Sequence, residues 1–113
     1  MQKINMKNYK SLAVAEALLG DVLYIGRNHP KIGYGSPLAN PFAIGIYGDR
    51  QEVIEKYKKW LWGKIQDGDK AVLDELAKIN EKTVFACWCA PLPCHADVLM
   101  SYYEWKEREL CKT

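Results

Sequence analysis

The residues of this chain best equipped for chemistry form one short run, Cys87-Trp88-Cys89-Ala90-Pro91-Leu92-Pro93-Cys94-His95. The run starts on an extended backbone, so Cys87 and Cys89 turn their thiols to one face and Trp88 takes the other. Cys94 and His95 fall in the first turn of a helix, where free N–H groups and the dipole favour negative charge. A cysteine placed there has a stabilised thiolate, which makes Cys94 a candidate nucleophile. A histidine there is pushed toward its neutral form, which makes His95 a candidate base or hydrogen-bond donor. Metal ligation competes, because Cys-x-Cys-x4-Cys-His supplies four donors. Adjacent Cys94 and His95 point apart, however, and two prolines stiffen the bridge between the cysteines. No metal and no other cofactor is therefore expected, and zinc or iron–sulfur ligation is kept as a rival. Packing as a small apolar side chain suits Cys87, and Cys111 entirely.

A second feature lies upstream. Val22-Leu23-Tyr24-Ile25 reads as a buried, central strand that ends at Gly26-Arg27. Ligands of open α/β sheets bind beyond the carboxyl ends of the strands, so Gly26, Arg27, Trp88 and Cys89 are all placed at a ligand edge. From such a position the Arg27 guanidinium can hold a phosphate or carboxylate bidentately, with a solvated surface arginine as the competing reading. The stretch Gly33-Tyr34-Gly35-Ser36 could turn backbone N–H groups toward an anion, and Ser36 joins the candidates on that weak signal. Asn40 offers donors and acceptors beside Phe42, a stacking surface, which together suit a nucleobase or sugar. An Asx turn before Pro41 is the rival role for Asn40. Arg50 stands at a helix start, a poor place for a cation unless an anion is near, so it is either a second arm of an anion clamp or a solvated side chain. His29, in Asn28-His29-Pro30, is expected to be a solvated loop residue.

The elements that must position these groups follow from periodicity and caps. Lys3 to Lys7 alternates polar and apolar as a short strand does. Ser11 caps a helix through Leu19, closed by Gly20. Residues 28–48 hold three prolines before Gly48 and read as a long, ordered loop folded over the sheet edge. Asp49 and Glu52 form the Asp-x-x-Glu variant of a capping box, and Val53, Ile54, Tyr57, Trp60, Leu61 and Ile65 recur at helical spacing after it. Leu73, Leu76 and Ile79 suggest a second, shorter helix, and Thr83 to Trp88 a strand. A last helix from about Pro93 to Leu110 turns Val98, Leu99, Tyr102 and Leu110 inward. The order β-α-β-loop-α-α-β-α predicts a small single α/β domain over residues 1–113, with a mostly parallel three- or four-stranded sheet flanked by helices, Rossmann-like in arrangement.

Composition narrows the function classes. The 113 residues carry 16 Lys+Arg against 14 Asp+Glu, a net +2, which gives no basic stripe and makes nucleic acid an unfavoured partner. There is no apolar run of membrane-spanning length and no signal-like apolar stretch in MQKINMKNYK, so a cytoplasmic protein without a membrane partner is expected. Trp60, Trp62 and Trp105 cannot all be buried in so small a domain, so one of them is expected at an interface and a homo-oligomer is favoured.

Taken as blocks in order, the sequence resembles the domain-of-unknown-function 4326 family. The blocks are Val22-Leu23-Tyr24-Ile25-Gly26-Arg27, Ser36-Pro37-Leu38-Ala39-Asn40-Pro41-Phe42, Gly48-Asp49-Arg50 with the helix after it, and Ala86-Cys87-Trp88-Cys89-Ala90-Pro91-Leu92-Pro93-Cys94-His95-Ala96-Asp97-Val98-Leu99. The resemblance implies that Gly26, Arg27, Asn40, Pro41, Phe42, Arg50, Cys87, Cys89, Cys94 and His95 fall on motif positions, and it places the chain among small bacterial and phage proteins. It assigns no activity. The residues themselves point to an anionic, nucleotide-derived or phosphosugar-like small molecule, with Arg27 and Arg50 on the anion and Asn40 and Phe42 on a base or sugar. A phage protein sequestering a nucleotide signal fits this set. The alternatives are an enzyme acting on a glycosidic or phosphate bond through Cys94 or His95, and a metal-binding module on the cysteines.

Overall fold

The computed structural model describes residues 1–111. Its elements are β1 (Gln2–Asn5), a 3-10 turn (Met6–Asn8), α1 (Leu12–Leu19), β2 (Val22–Tyr24), α2 (Arg50–Asp67), α3 (Lys70–Leu76), β3 (Val84–Cys87) and α4 (His95–Cys111). The three strands form one parallel sheet in the order β1-β3-β2. This is the α/β domain the periodicity predicts, with the strand ends trimmed by a residue or two. The Lys3–Lys7 strand stops at Asn5 because the Asn5 side chain accepts from the Lys7 amide and starts the 3-10 turn.

One expectation is corrected. The Val22–Tyr24 strand is not central: β3 inserts between β1 and β2. The physical reason lies in burial. All four β3 residues are buried, as a middle strand covered on both faces requires, whereas Val22 and Leu23 of β2 are only half-buried.

The sheet separates two cores. Phe85 and Cys87 face one way, into a cluster with Tyr57 and Leu61 of α2, Val72 and Leu76 of α3 and Leu99 of α4. Ala86 faces the other way, against Met6, Ala15 of α1 and Tyr24. The result is three layers, with α1 on one side of the sheet and α2, α3 and α4 on the other.

Helix caps act as read from sequence. The Ser11 hydroxyl accepts from the Val14 amide at 3.1 Å. At α2 both halves of the capping box form, with the Glu52 amide on Asp49 Oδ1 at 2.9 Å and the Asp49 amide on Glu52 Oε1 at 3.2 Å. On α4, Leu99 is fully buried but Leu110 is 57% exposed, so the inward stripe expected to reach Leu110 ends earlier, where the helix runs past the sheet. The packing expected of the Cys111 side chain lies outside the described residues. Trp60 is partly buried and stacked on Tyr57, while Trp62 and Trp105 are exposed and meet edge to face at 6.0 Å. No helix among the described residues is long and apolar enough to cross a membrane.

Because α2 carries both Arg50 and the Tyr57 that anchors the long loop, its start is worth testing alone. Asp49→Ala is expected to lower stability by about 1 kcal/mol, the ordinary cost of a lost N-cap. Urea unfolding should show a lower midpoint at unchanged slope.

Candidate functional site

A cavity of about 480 Å³ opens at the carboxyl ends of β2 and β3. Gly26, Arg27 and His29 line it from the end of β2, Asn40 and Phe42 from the long loop, and Arg50 from the first turn of α2. Trp88 and Cys89 close it from the end of β3, and Cys94 and His95 from the start of α4. The structure thus gathers residues spread over seventy positions at the strand ends, where an open α/β sheet presents ligands. Ser36 is the exception. It is buried away from the cavity, its hydroxyl accepting from the Leu38 amide at 3.0 Å and its own amide donating to the Gly26 carbonyl at 2.9 Å. The Gly33 amide, on the His29 carbonyl at 2.8 Å, and the polar groups of Ser36 thus close the loop.

The long loop is held shape by shape. Leu38 is fully buried, and its carbonyl accepts from the buried Tyr57 hydroxyl at 2.6 Å. The Asn40 side chain realises the Asx-turn role: Oδ1 accepts from the Phe42 amide at 2.9 Å and Nδ2 donates to the Val53 carbonyl at 3.3 Å. Asn40 thus shapes the wall through one N–H and one lone pair of its amide while lining the cavity. Its main-chain oxygen takes the Arg27 Nε at 2.8 Å, and Arg50 Nη1 donates to the Pro93 carbonyl at 2.9 Å. Each guanidinium is aimed by one backbone acceptor and has further N–H donors in its fork.

Behind Arg27 lies a contact that only glycine permits. A Cβ on Gly26 would fall 2.4 Å from the Tyr24 hydroxyl oxygen. That hydroxyl donates to the Arg27 carbonyl at 2.6 Å and accepts from the Trp88 indole N–H at 2.8 Å. The Trp88 ring in turn stacks on His29, with centroids 4.2 Å apart. His29, expected to be solvated, is half-buried against Trp88, and its Nδ1 accepts from the Lys31 amide at 3.0 Å. Sequence reading missed it because the partner ring arrives from a strand about sixty residues away. Asn5 was also missed; its Nδ2 donates to the Trp88 and Ala90 carbonyls at 3.2 and 3.1 Å and fixes the Cys-Trp-Cys turn.

The thiols and His95 divide their roles differently from the sequence reading. Cys87, Cys89 and Cys94 are free, and Cys87 Sγ lies 3.8 Å from Cys94 Sγ. Cys94 is buried, and its interaction with the two neighbouring sulfurs holds its proton on, pushing its pKa up with further help from burial. Cys89 goes the other way, down, chiefly through its interaction with the Cys94 thiol and further through the Arg50 guanidinium. The Cys94 thiol pulls Cys87 down as well, yet Cys87 has a proton to give the Ile4 carbonyl at 3.5 Å. Cys87 and Cys89 are thus both lowered and Cys94 raised, with the Arg50 guanidinium adding to the lowering at Cys89. The helix-start argument that favoured Cys94 as the thiolate is offset because the Cys94 amide is already taken by Asp97 Oδ2 at 3.0 Å. That same carboxylate accepts from Lys3 Nζ at 2.9 Å.

His95 is buried with Nε2 2.6 Å from the Ile25 carbonyl. A carbonyl only accepts, so Nε2 carries the hydrogen. Burial holds the imidazole below its ordinary pKa, and the ring packs edge to face on Tyr57 at 5.1 Å. Among the described residues no group of three or more His, Cys, Asp or Glu side chains is arranged to hold a metal ion.

The fold and the cavity define a three-layer α/β domain with a basic, aromatic-walled site at its strand ends. A family model described as a domain of unknown function, DUF4326, matches residues 7–105, and the chain belongs to that family. No curated protein and no solved structure matches the chain.

Two outcomes test this site. Gly26→Ala should cost about 1–3 kcal/mol, the range for overpacking, read as a lower midpoint in urea unfolding. The pH dependence of His95 has a definite sign. The unfolded chain binds a proton at an ordinary imidazole pKa of about 6.5, while the folded chain resists it. Stability from this group is therefore full above about pH 6.5 and falls as pH drops toward the depressed folded value. Urea unfolding at about pH 5.5 should show a smaller free energy than at about pH 7.5, and His95→Gln should flatten that difference. An undiminished slope in the variant would remove His95 as its source.

Proposed function

We propose that this protein binds an anionic, nucleotide-derived small molecule, or a phosphosugar of similar shape, in the cavity at its strand ends. The observation that carries the reading is the balance of the lining. Arg27 and Arg50 both line the cavity, and among the described residues no Asp or Glu does. Phe42 and Trp88 add aromatic faces of the kind a base stacks on. An anion is thus attracted at two fixed forks, and a planar group has a wall to lie against.

Binding without turnover is the better form of this reading. Among the described residues no carboxylate lines the cavity to act as a general acid, the Cys94 pKa is pushed up, and the His95 Nε2 is occupied by a backbone carbonyl. Hydrolysis or transfer through Cys94 and His95 has less support for the same reason. Sequestration of a nucleotide signal in the cytoplasm, as a phage-encoded protein would do it, is the role that fits a small binder of this kind. A net charge of +2 without a basic stripe gives nucleic acid no comparable footing.

The test is calorimetry and native mass spectrometry with nucleoside mono-, di- and cyclic phosphates and with sugar phosphates. One of them should bind, come off chemically unchanged, and bind roughly tenfold or more weakly to Arg27→Ala and to Arg50→Ala, the loss expected for one charge-assisted hydrogen bond. Leu92→Ala, exposed and outside the cavity, should bind as the parent does. Equal affinity in both arginine variants would sink the proposal.

A further inference from the structure

We propose that His29 is a ligand-contacting residue of the strand-end cavity, its Nε2–H donating to a phosphoryl oxygen of the anion that Arg27 holds. This rests on the anion reading of the cavity and adds to it an uncharged donor, one that chooses a phosphoryl group by hydrogen bonding and not by charge alone.

The chain that leaves β2 converges on this one side chain. The Lys31 amide donates to His29 Nδ1 at 3.0 Å, and the Ile32 and Gly33 amides donate to the His29 carbonyl at 3.0 and 2.8 Å. Three successive N–H groups are thus committed to a single residue. The His29 ring lies on Trp88, with centroids 4.2 Å apart and the planes 29° from parallel. Trp88 is itself held, its indole N–H on the Tyr24 hydroxyl at 2.8 Å. Gly35 presses on the same stretch, where a Cβ would fall 2.8 Å from the Asn28 backbone nitrogen. A solvated loop histidine needs none of these supports. Together they hold a ring at a set position, which is what a binding site requires of its donors.

The bond at Nδ1 also decides what the ring can offer. A backbone N–H only donates, so Nδ1 keeps its lone pair and the ring hydrogen sits on Nε2. Among the described residues that N–H meets no acceptor, and no side-chain nitrogen or oxygen is buried without a partner, so Nε2 is open to solvent. His29 lines the cavity with Arg27, two positions earlier in the chain. The other histidine of the wall differs, because His95 Nε2 is already on the Ile25 carbonyl at 2.6 Å. An open N–H beside a guanidinium suits a group with several acceptor oxygens, and a phosphoryl group can meet both at once.

The test titrates inorganic phosphate into the isotope-labelled full-length protein at constant pH and ionic strength, with chloride as the balancing anion. Before phosphate is added, long-range proton–nitrogen NMR spectra should show the Nε2–H tautomer at His29. Phosphate should then shift His29 Nε2 and the Arg27 amide along one saturating curve. His29→Asn keeps a side-chain acceptor for the Lys31 amide, and His29→Phe keeps a ring to lie on Trp88, while both lose the Nε2–H. Both variants should bind phosphate roughly tenfold more weakly, read at the Arg27 amide, as expected for one lost hydrogen bond to a charged acceptor. Weakening in only one variant would assign the role to the turn or to the stack and overturn the proposal. An Nδ1–H tautomer in the free protein would do the same. A saturating response at Arg27 with none at His29 would overturn it and leave the anion reading standing, whereas no response at either residue would overturn both.

Discussion

The site depends on one hydrogen bond that spans seventy residues, from His95 Nε2 to the Ile25 carbonyl at 2.6 Å. It ties the start of α4 to the end of β2 across the carboxyl edge of the sheet. Without it, the two walls that carry Arg27 and Cys94 have no direct polar link. Burial makes the bond strong and its loss costly, because an unpaired imidazole N–H and a backbone carbonyl would remain in an apolar surrounding. The same burial holds the ring neutral, and the bond from Nε2 makes His95 a brace between the two elements. A histidine at a helix start therefore has a structural role as concrete as a catalytic one.

A second constraint concerns charge. A cation in the first turn of a helix opposes the dipole, and Arg50 is such a cation. Its position becomes reasonable because Cys89 lies opposite with a lowered pKa and because the Pro93 carbonyl accepts one of its N–H groups. Arg27 has no such thiolate facing it; it is aimed by the Asn40 carbonyl alone. The two arginines are thus unequal. Arg27 is aimed by a neutral carbonyl, whereas Arg50 also lowers the pKa of Cys89.

Much of this arrangement was legible in the sequence, and the failures are instructive. Periodicity and caps placed α1, α2 and β3, because Ser11, Asp49 and Glu52 act over three residues and need no tertiary information. Alternation placed Cys87 and Cys89 on one face and Trp88 on the other, which the two separate cores bear out. Strand order was not legible, since Val22–Tyr24 and Val84–Cys87 look equally apolar as short runs and only packing decides which is covered twice. The contents of the long loop failed for the same reason. Asn40, Ser36 and His29 each had polar groups whose partners are backbone atoms or rings brought in by the fold, and no spacing rule announces them. At Cys94 the helix-start position is visible in the sequence, while the Asp97 carboxylate on its amide and the neighbouring sulfurs that raise its pKa are set by the fold.

The cavity is therefore assembled from three kinds of support that fail independently. Glycine at position 26 admits the Tyr24 hydroxyl, which links the Arg27 carbonyl to the Trp88 indole. The loop is tied to α2 by the Tyr57 hydroxyl on the Leu38 carbonyl and by the Asn40 amide on the Val53 carbonyl, so its shape follows that helix. The cysteine turn is carried by Asn5 and Lys3 of β1, from the far edge of the sheet. A ligand that touches Arg27, Phe42 and Cys89 at once would bridge all three supports, and would be felt as stabilisation of the whole domain rather than of one loop. That is the behaviour expected of a site built by the fold as a whole, and it is why side chains with no contact to the cavity, such as Lys3, belong to its account.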